Sequence, residues 1–302
     1  MIITDITKIG DPQIVLHEGK YYCYVTNTSH YSDGFCVFES DDLENWYGGE
    51  ICFRAIGSWG KSHFWAPEVI YHNGKFVMHY SAMSRELDSL RIGVAIADSP
   101  RGPFKDVHER PMFDFGYAAI DGSVLVCDEG NFLYYSRDCS ENKIGDTHVS
   151  QIYCVRLDDT LTEVVSEPVL ISTPEEPFER LSLSVGKIPT LWNEGPNVIK
   201  LGDGYVMNYS ANCYATNDYA ICVSSSKSPT GPFVKSKNNP VLSRRDDLFG
   251  AGHNAFFRTK EGELFTSFHI QTDPAHPSGD RRVVIGNVSF SERDGCIIES
   301  IE

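Results

Sequence analysis

No stretch of this chain approaches the roughly 18 uninterrupted apolar residues that a bilayer-spanning helix needs, and no cluster of lysine or arginine interrupts its acidic excess. Its 302 residues carry 42 Asp and Glu against 26 Lys and Arg, a formal net charge of −16. Neither a membrane nor a nucleic acid is therefore expected as a partner, since phosphate neutralisation needs a basic face. Nine cysteines (23, 36, 52, 127, 139, 154, 213, 222 and 296) are scattered without any C-x-x-C spacing, which argues against a zinc or dithiol site. Several lie within apolar strand patterns, as buried free thiols of a reducing compartment do. The N-terminal MIITDITKIGDPQIVL lacks the basic region, apolar stretch and cleavage site of a signal peptide, so a cytoplasmic location is expected. Also missing is any run of 12 or more residues with a convincing amphipathic helical period.

What the sequence does contain is one phrase repeated five times: a loop ending in a polar residue, a short apolar strand, a glycine turn, and an aromatic-rich strand. The copies are DPQIVLHEGKYYCYVTN from Asp11, APEVIYHNGKFVMHYSA from Ala66, DGSVLVCDEGNFLYYSR from Asp121, EGPNVIKLGDGYVMNYSA from Glu194 and HNAFFRTKEGELFTSFH from His253. Each reads as a β-hairpin, with Gly supplying the positive φ of the turn. A further strand pattern follows every copy, as in LRIGVAIADSPRGPF (90–104) and YAICVSSSKSPTGPF (219–233). Units of about four strands, starting 55, 55, 73 and 59 residues apart, predict an all-β, five-bladed β-propeller around a central channel. A pair of β-sandwich domains would not explain the repetition. With no linker or break in composition, residues 1–302 are expected to form a single catalytic domain.

The innermost strand of a propeller blade lines the channel, so the residues opening the phrases, at or near Asp11, Trp65, Asp121, Glu194 and His253, should converge. Taken singly, Asp11-Pro12 and Asp121-Gly122 are ordinary turn dipeptides, and His253 could be a core histidine. Glu194 is harder to dismiss, because Gly195-Pro196 fixes the backbone beside a charge at a strand entrance.

Together, GDPQIV with Asp11, HFWAPEV with Trp65, AIDGSV with Asp121, NEGPNV with Glu194 and AGHNAF with His253 resemble glycoside hydrolase family 43, over nearly the whole chain. The resemblance implies a five-bladed propeller of inverting enzymes acting on β-xylosides, α-L-arabinofuranosides and arabinan. It implies Asp11 as general base, Glu194 as general acid and Asp121 as the carboxylate that tunes and orients the acid. It also implies His253 as an axial histidine associated with a bound cation; no cofactor is required for the chemistry, and any Ca²⁺ near His253 is expected to be held mostly by water. Inverting hydrolysis does need an ionised and a protonated carboxyl group on opposite faces of the sugar. A third anion would help keep the acid protonated.

Trp65 and Phe35 are candidate apolar contacts for the sugar, although either could be blade packing. Arg281 aligns with a pocket arginine of the family's last blade, with Arg282 the alternative if the register slips by one. Asn27 and Ser210 end hairpins near the channel and rank lower. The segments 172–192 and 272–280 are long enough to wall off the channel, which favours a blind pocket. The expected activity is exo-acting release of arabinose from arabinan or arabinoxylan fragments, with β-xylosidase as the alternative. A glycoside phosphorylase, or a propeller that only binds carbohydrate, is the rival of another class.

Overall fold

The computed structural model describes residues 1–27, 34–184, 186–245, 247–291 and 297–302, so Cys296 falls outside the described residues. Five antiparallel sheets are arranged as the blades of a propeller. Blade one holds Ile2–His17, Lys20–Asn27, Gly34–Ser40 and Trp46–Arg54; blade two holds Gly60–His72, Lys75–Ser84, Leu90–Ala97 and Lys105–Asp106. Blade three holds Ala119–Cys127, Gly130–Arg137, Thr147–Leu157 and Val169–Ser172, and blade four Thr190–Leu201, Gly204–Ala211, Ala220–Ser226 and Val234–Lys235. Blade five is built on Gly252–Arg258, Leu264–Gln271 and Arg281–Ser291. Among the described residues the only helical element is the 3₁₀ turn Pro177–Arg180, in keeping with the absence of a helical period.

The second strand of each blade is buried almost end to end rather than on alternate residues. Neighbouring blades cover both of its faces, so near-continuous apolar runs such as YYCYV and FLYY are what this position selects. Five apolar clusters fill the spaces between successive blades, including the pair formed by blades five and one. The hairpin turns Glu18-Gly19 and Asn73-Gly74 have positive φ at both residues, the type I′ geometry that suits twisted strands.

The ring is closed on blade five, whose third strand pairs with both chain ends. Ile2, Ile3, Thr7 and Ile9 pair with Ile285, Val284, Arg282 and Arg281, and Val288 pairs with Ile301. That closure has a functional consequence. Pairing Ile9 with Arg281 sets the arginine beside the Gly10-Asp11 step of blade one.

Candidate active site

Every inner strand carries a β-bulge at the same place, between Gly10 and Gln13, Trp65 and Glu68, Ile120 and Ser123, Glu194 and Asn197, and Gly252 and Ala255. The first extra residue of each bulge is left-handed: Asp11 (φ 52°), Ala66 (46°), Asp121 (59°), Gly195 (56°) and His253 (47°). Four of these are not glycine and hold a conformation that costs of order 1 kcal/mol or more. Each is fixed by a hydrogen bond from its amide to the second strand of the preceding blade. The amide of Ala66 donates to Thr26 Oγ1 (2.7 Å), Asp121 to Ser81 Oγ (2.9 Å), Gly195 to Ser136 Oγ (3.2 Å), His253 to Ser210 Oγ (2.7 Å) and Asp11 to His269 Nδ1 (3.2 Å). A belt of five such bonds runs round the channel, and it turns Asp11, Asp121 and His253 toward the axis.

This geometry corrects the register expected from the repeats. Glu194 and Trp65 are not equivalent to Asp11, Asp121 and His253; they lie one residue earlier, in a second ring with Gly10, Ile120 and Gly252. The bulge lets both rings face the same cavity, where a regular strand would send alternate residues to opposite faces. The two glycines of the second ring leave gaps that other side chains fill. A Cβ on Gly10 would lie 2.0 Å from Arg281 Nη2, and one on Gly252 would lie 2.1 Å from Tyr219 Cδ1.

The resulting pocket has a volume of about 300 Å³, and Asp11, Trp65, Asp121, Glu194, His253 and Arg281 all line it. Below it the channel narrows to a cavity of about 10 Å³, room for about one water. Arg281 therefore reaches the pocket, and Arg282, the alternative, does not line it. Phe35 does not reach it either. It is fully buried between blades one and two, packed on Phe53, Phe64 and Tyr80 at ring separations of 5.6, 6.1 and 5.5 Å. Ser210 belongs to the belt, whereas Asn27 binds the Cys36 thiol at 3.5 Å. Of the eight described cysteines five are buried, and Cys139 lines the pocket.

The three carboxylates sit in different electrostatic surroundings. Burial alone would raise the pKa of Asp11, but the Arg281 guanidinium, His253 and His269 outweigh it and hold the group well below the usual carboxylate range. Arg281 Nη1 donates to Asp11 Oδ1 at 3.0 Å and Thr26 Oγ1 to Oδ2 at 2.7 Å, so Asp11 is ionised. Glu194 is pushed in the opposite direction, first by burial and then by the charge of Asp121, with smaller contributions from Asp138 and Asp11. Burial thus does more than the like-charge repulsion expected from the sequence. Asp121 is also raised, by burial and by Asp11, against His253 and the Gly195 amide, which donates to its Oδ2 at 3.2 Å.

Several pocket residues had no signal among the repeats. Tyr219 donates to Glu194 Oε1 at 2.9 Å. His269 is fully buried, and burial together with Arg281 pushes its pKa down, leaving it neutral beside Asp11. Asp138, a fourth carboxylate, and Trp192 complete the wall. The long segment before Glu194 is anchored by Glu179, whose buried carboxylate pairs with Lys235 at 2.7 Å and accepts from Asn193 Nδ2 at 3.1 Å and Tyr209 OH at 2.9 Å.

For a metal, His253 remains the candidate ligand. Among the described residues no three His, Cys, Asp or Glu gather in a way that could hold an ion, and His253 Nδ1 faces Asp11 Oδ1 at 3.4 Å. A hard cation takes six or more oxygen ligands, waters included, so an ion beside His253 would be held mostly by water, and no step below involves one.

Comparison with known proteins agrees with this constellation: the family described as glycosyl hydrolases family 43 matches residues 6–297. The chain belongs to that family. A crystal structure of a thermostable family-43 glycoside hydrolase superimposes with a TM-score of 0.91 at 40% identity, covering 99% of this chain and 94% of the other. A β-D-galactofuranosidase of Aspergillus niger is 26% identical, over 86% of this chain and 73% of its own. A xylosidase/arabinosidase of Bacteroides ovatus is 25% identical, over 75% and 76%. The propeller is accordingly a glycoside hydrolase.

In this family 43 enzyme the raised pair Asp121 and Glu194 sets a stability trade-off. A carboxyl group whose folded pKa is raised binds more protons than the unfolded chain above its ordinary pKa of about 4, so its contribution to stability falls as pH rises through that window. Asp121→Asn keeps a carbonyl acceptor for the Gly195 amide and removes one of the two charges. It is expected to raise Tm at pH 8 by roughly 2–4 °C, about 1 kcal/mol for a chain of this size, while shifting the basic limb of activity toward acid. Thermal unfolding at pH 5 and 8 checks it; an equal Tm change at both would rule out relieved repulsion.

Proposed function

We propose that this enzyme is an inverting, exo-acting glycosidase that releases terminal L-arabinofuranosyl units from arabinan or arabinoxylan fragments. The feature that carries the mechanism is the opposed electrostatic setting of two carboxyl groups in one pocket, Asp11 paired with Arg281 and held below the usual carboxylate range and Glu194 pushed above it by burial and Asp121. Asp11 takes a proton from a water whose oxygen bonds to the anomeric carbon. Glu194 gives its proton to the glycosidic oxygen as that bond breaks, so the leaving sugar departs neutral. Arg281 and Thr26 keep Asp11 ionised and oriented, Asp121 and burial keep Glu194 protonated, and Trp65, Leu90 and Ile120 offer the sugar an apolar wall.

Pocket size supports action at a chain end: about 300 Å³ is at the lower limit of ligand sites, and the channel beneath narrows to a cavity of about 10 Å³. The furanoside and arabinoside activities named for the two curated relatives support a five-membered ring, because an L-arabinofuranoside is a D-galactofuranoside without its terminal hydroxymethyl group. β-Xylosidase is the second reading, favoured by the xylosidase name of the Bacteroides relative. Phosphorolysis is disfavoured because Arg281, the one guanidinium among the described pocket residues, is committed to Asp11.

Proton NMR of the first sugar released from aryl α-L-arabinofuranoside tests both parts. The product is expected as the opposite anomer, with aryl β-D-xyloside cleaved at least tenfold more slowly. Retention of configuration would sink the role of Asp11, and faster xyloside cleavage would exchange the two substrate readings.

A further inference from the structure

Glu194 is buried at the end of a set of contacts that also reaches Asp11. Its Oε1 accepts from Tyr219 OH at 2.9 Å. The Tyr219 ring lies against His269 with centroids 5.6 Å apart and planes within 8°, and the His269 ring accepts the amide of Asp11. The tyrosine ring also presses on Gly252, the cross-strand partner of His269, where a methyl group would fall 2.1 Å from Cδ1 and Cε1. Tyr219 itself is 1% exposed. The ring is therefore clamped, and its hydroxyl has little freedom to leave Glu194.

We propose that Tyr219 is a positioning residue for the acid: it holds Oε1 in place and, as the other oxygen gives up its proton, stabilises the carboxylate that forms. This rests on Glu194 being the general acid. Hydrogen bonds to an ionised group are stronger than those to a neutral one, so the contact tightens along the reaction and favours the transition state over the bound substrate. Three other carboxylates act on Glu194, Asp121 and Asp138 and, more weakly, Asp11; the thiols of Cys139 and Cys213 also lie within its field. All of these are acidic groups, and Tyr219 is the donor that opposes them.

The sign distinguishes Tyr219 from a structural role. Removing a donor to the ionised form favours the protonated form, so Tyr219→Phe should move the basic limb of kcat/KM toward alkali, opposite to Asp121→Asn. A shift of about half to one pH unit is expected, with kcat on poor leaving groups reduced about 10- to 100-fold and KM little changed. Gly252→Ala provides a second approach, since it displaces the ring without changing the chemical identity of any pocket side chain. Its backbone is not left-handed, and it should shift the limb in the same direction.

The experiment measures pH profiles of the wild type, Tyr219→Phe, Gly252→Ala and Glu194→Ala on aryl glycosides with good and poor leaving groups. An alkaline shift in whichever of the first two variants folds, with the loss concentrated on poor leaving groups, supports the proposal. An unmoved or acid-shifted limb in a folded variant overturns it. If Glu194→Ala shows no dependence on leaving group, the acid assignment itself fails and the role of Tyr219 goes with it.

Discussion

Asp11→Asn is expected to lower kcat about 100- to 10,000-fold, the range that general base catalysis contributes, and by the same factor whatever the leaving group. On the proposed mechanism water attack needs the base in every case, and Asp11 is held below the ordinary carboxylate range. Asparagine is the better replacement. Both replacements remove the charge that pairs with the buried Arg281 guanidinium, a loss of about 3–5 kcal/mol when one partner of a buried pair is stranded, but the Asn carbonyl keeps an acceptor for Arg281 where alanine leaves none, so lost activity is less confounded with lost fold. The same pair predicts the acid side of the pH response. A depressed carboxylate pKa contributes stability that is fully present above its unfolded value, near 4, and lost as pH falls toward the folded one. Wild-type activity should therefore persist below pH 4 until the protein itself unfolds. Residual Asp11→Asn activity above a few per cent, or a loss that grows with leaving-group pKa, would remove Asp11 from the role of base.

Much of this site was legible because it interrupts a regular pattern. Five hairpins with glycine turns mark the blades, and a charge at the entrance to an otherwise apolar strand is costly unless the strand opens onto a polar cavity. Asp11, Asp121, Glu194 and His253 could be found by that argument. Their relative register could not. A bulge adds one residue without leaving a compositional trace, so Glu194 and Trp65 looked equivalent to Asp11 when they lie one position before it. Phe35 shows a second limit: alternation says which side of a strand is apolar, but the space between blades is as apolar as a sugar-binding wall. The hydroxyl series Thr26, Ser81, Ser136 and Ser210 was present in the sequence as the recurrent V-T and Y-S steps. Its fifth member, His269, departs from that series where the belt meets the base. Tyr219 lies just before the strand Ala220–Ser226 and Asp138 just after Gly130–Arg137; the room that Gly252 leaves for the tyrosine ring is not visible locally.

The second large effect concerns the acid. On the proposed mechanism Glu194→Ala removes the proton donor without disturbing the base, so its cost depends on how much the departing oxygen needs protonation. For an aryl glycoside with an activated phenol as leaving group, the bond breaks with little help, and the variant should retain activity within about tenfold of wild type. For an alkyl glycoside or a natural oligosaccharide, whose leaving alkoxide is strongly basic, the loss should reach about 100- to 10,000-fold. A plot of log kcat/KM against leaving-group pKa is therefore expected to be shallow for the wild type and steep for the variant. The variant should also lack the basic limb, because the group whose deprotonation ends activity is gone. Burial and Asp121 raise the pKa of Glu194 in the wild type, which places that limb above the pH at which an exposed glutamate would already have lost its proton. Truncation also relieves the repulsion with Asp121, so the variant should be at least as stable as the wild type above neutrality and its loss of activity cannot be assigned to unfolding. Parallel lines for the two proteins, or a basic limb that survives the substitution, would show that the proton comes from elsewhere, with Asp121 and Asp138 the next carboxyl groups to test.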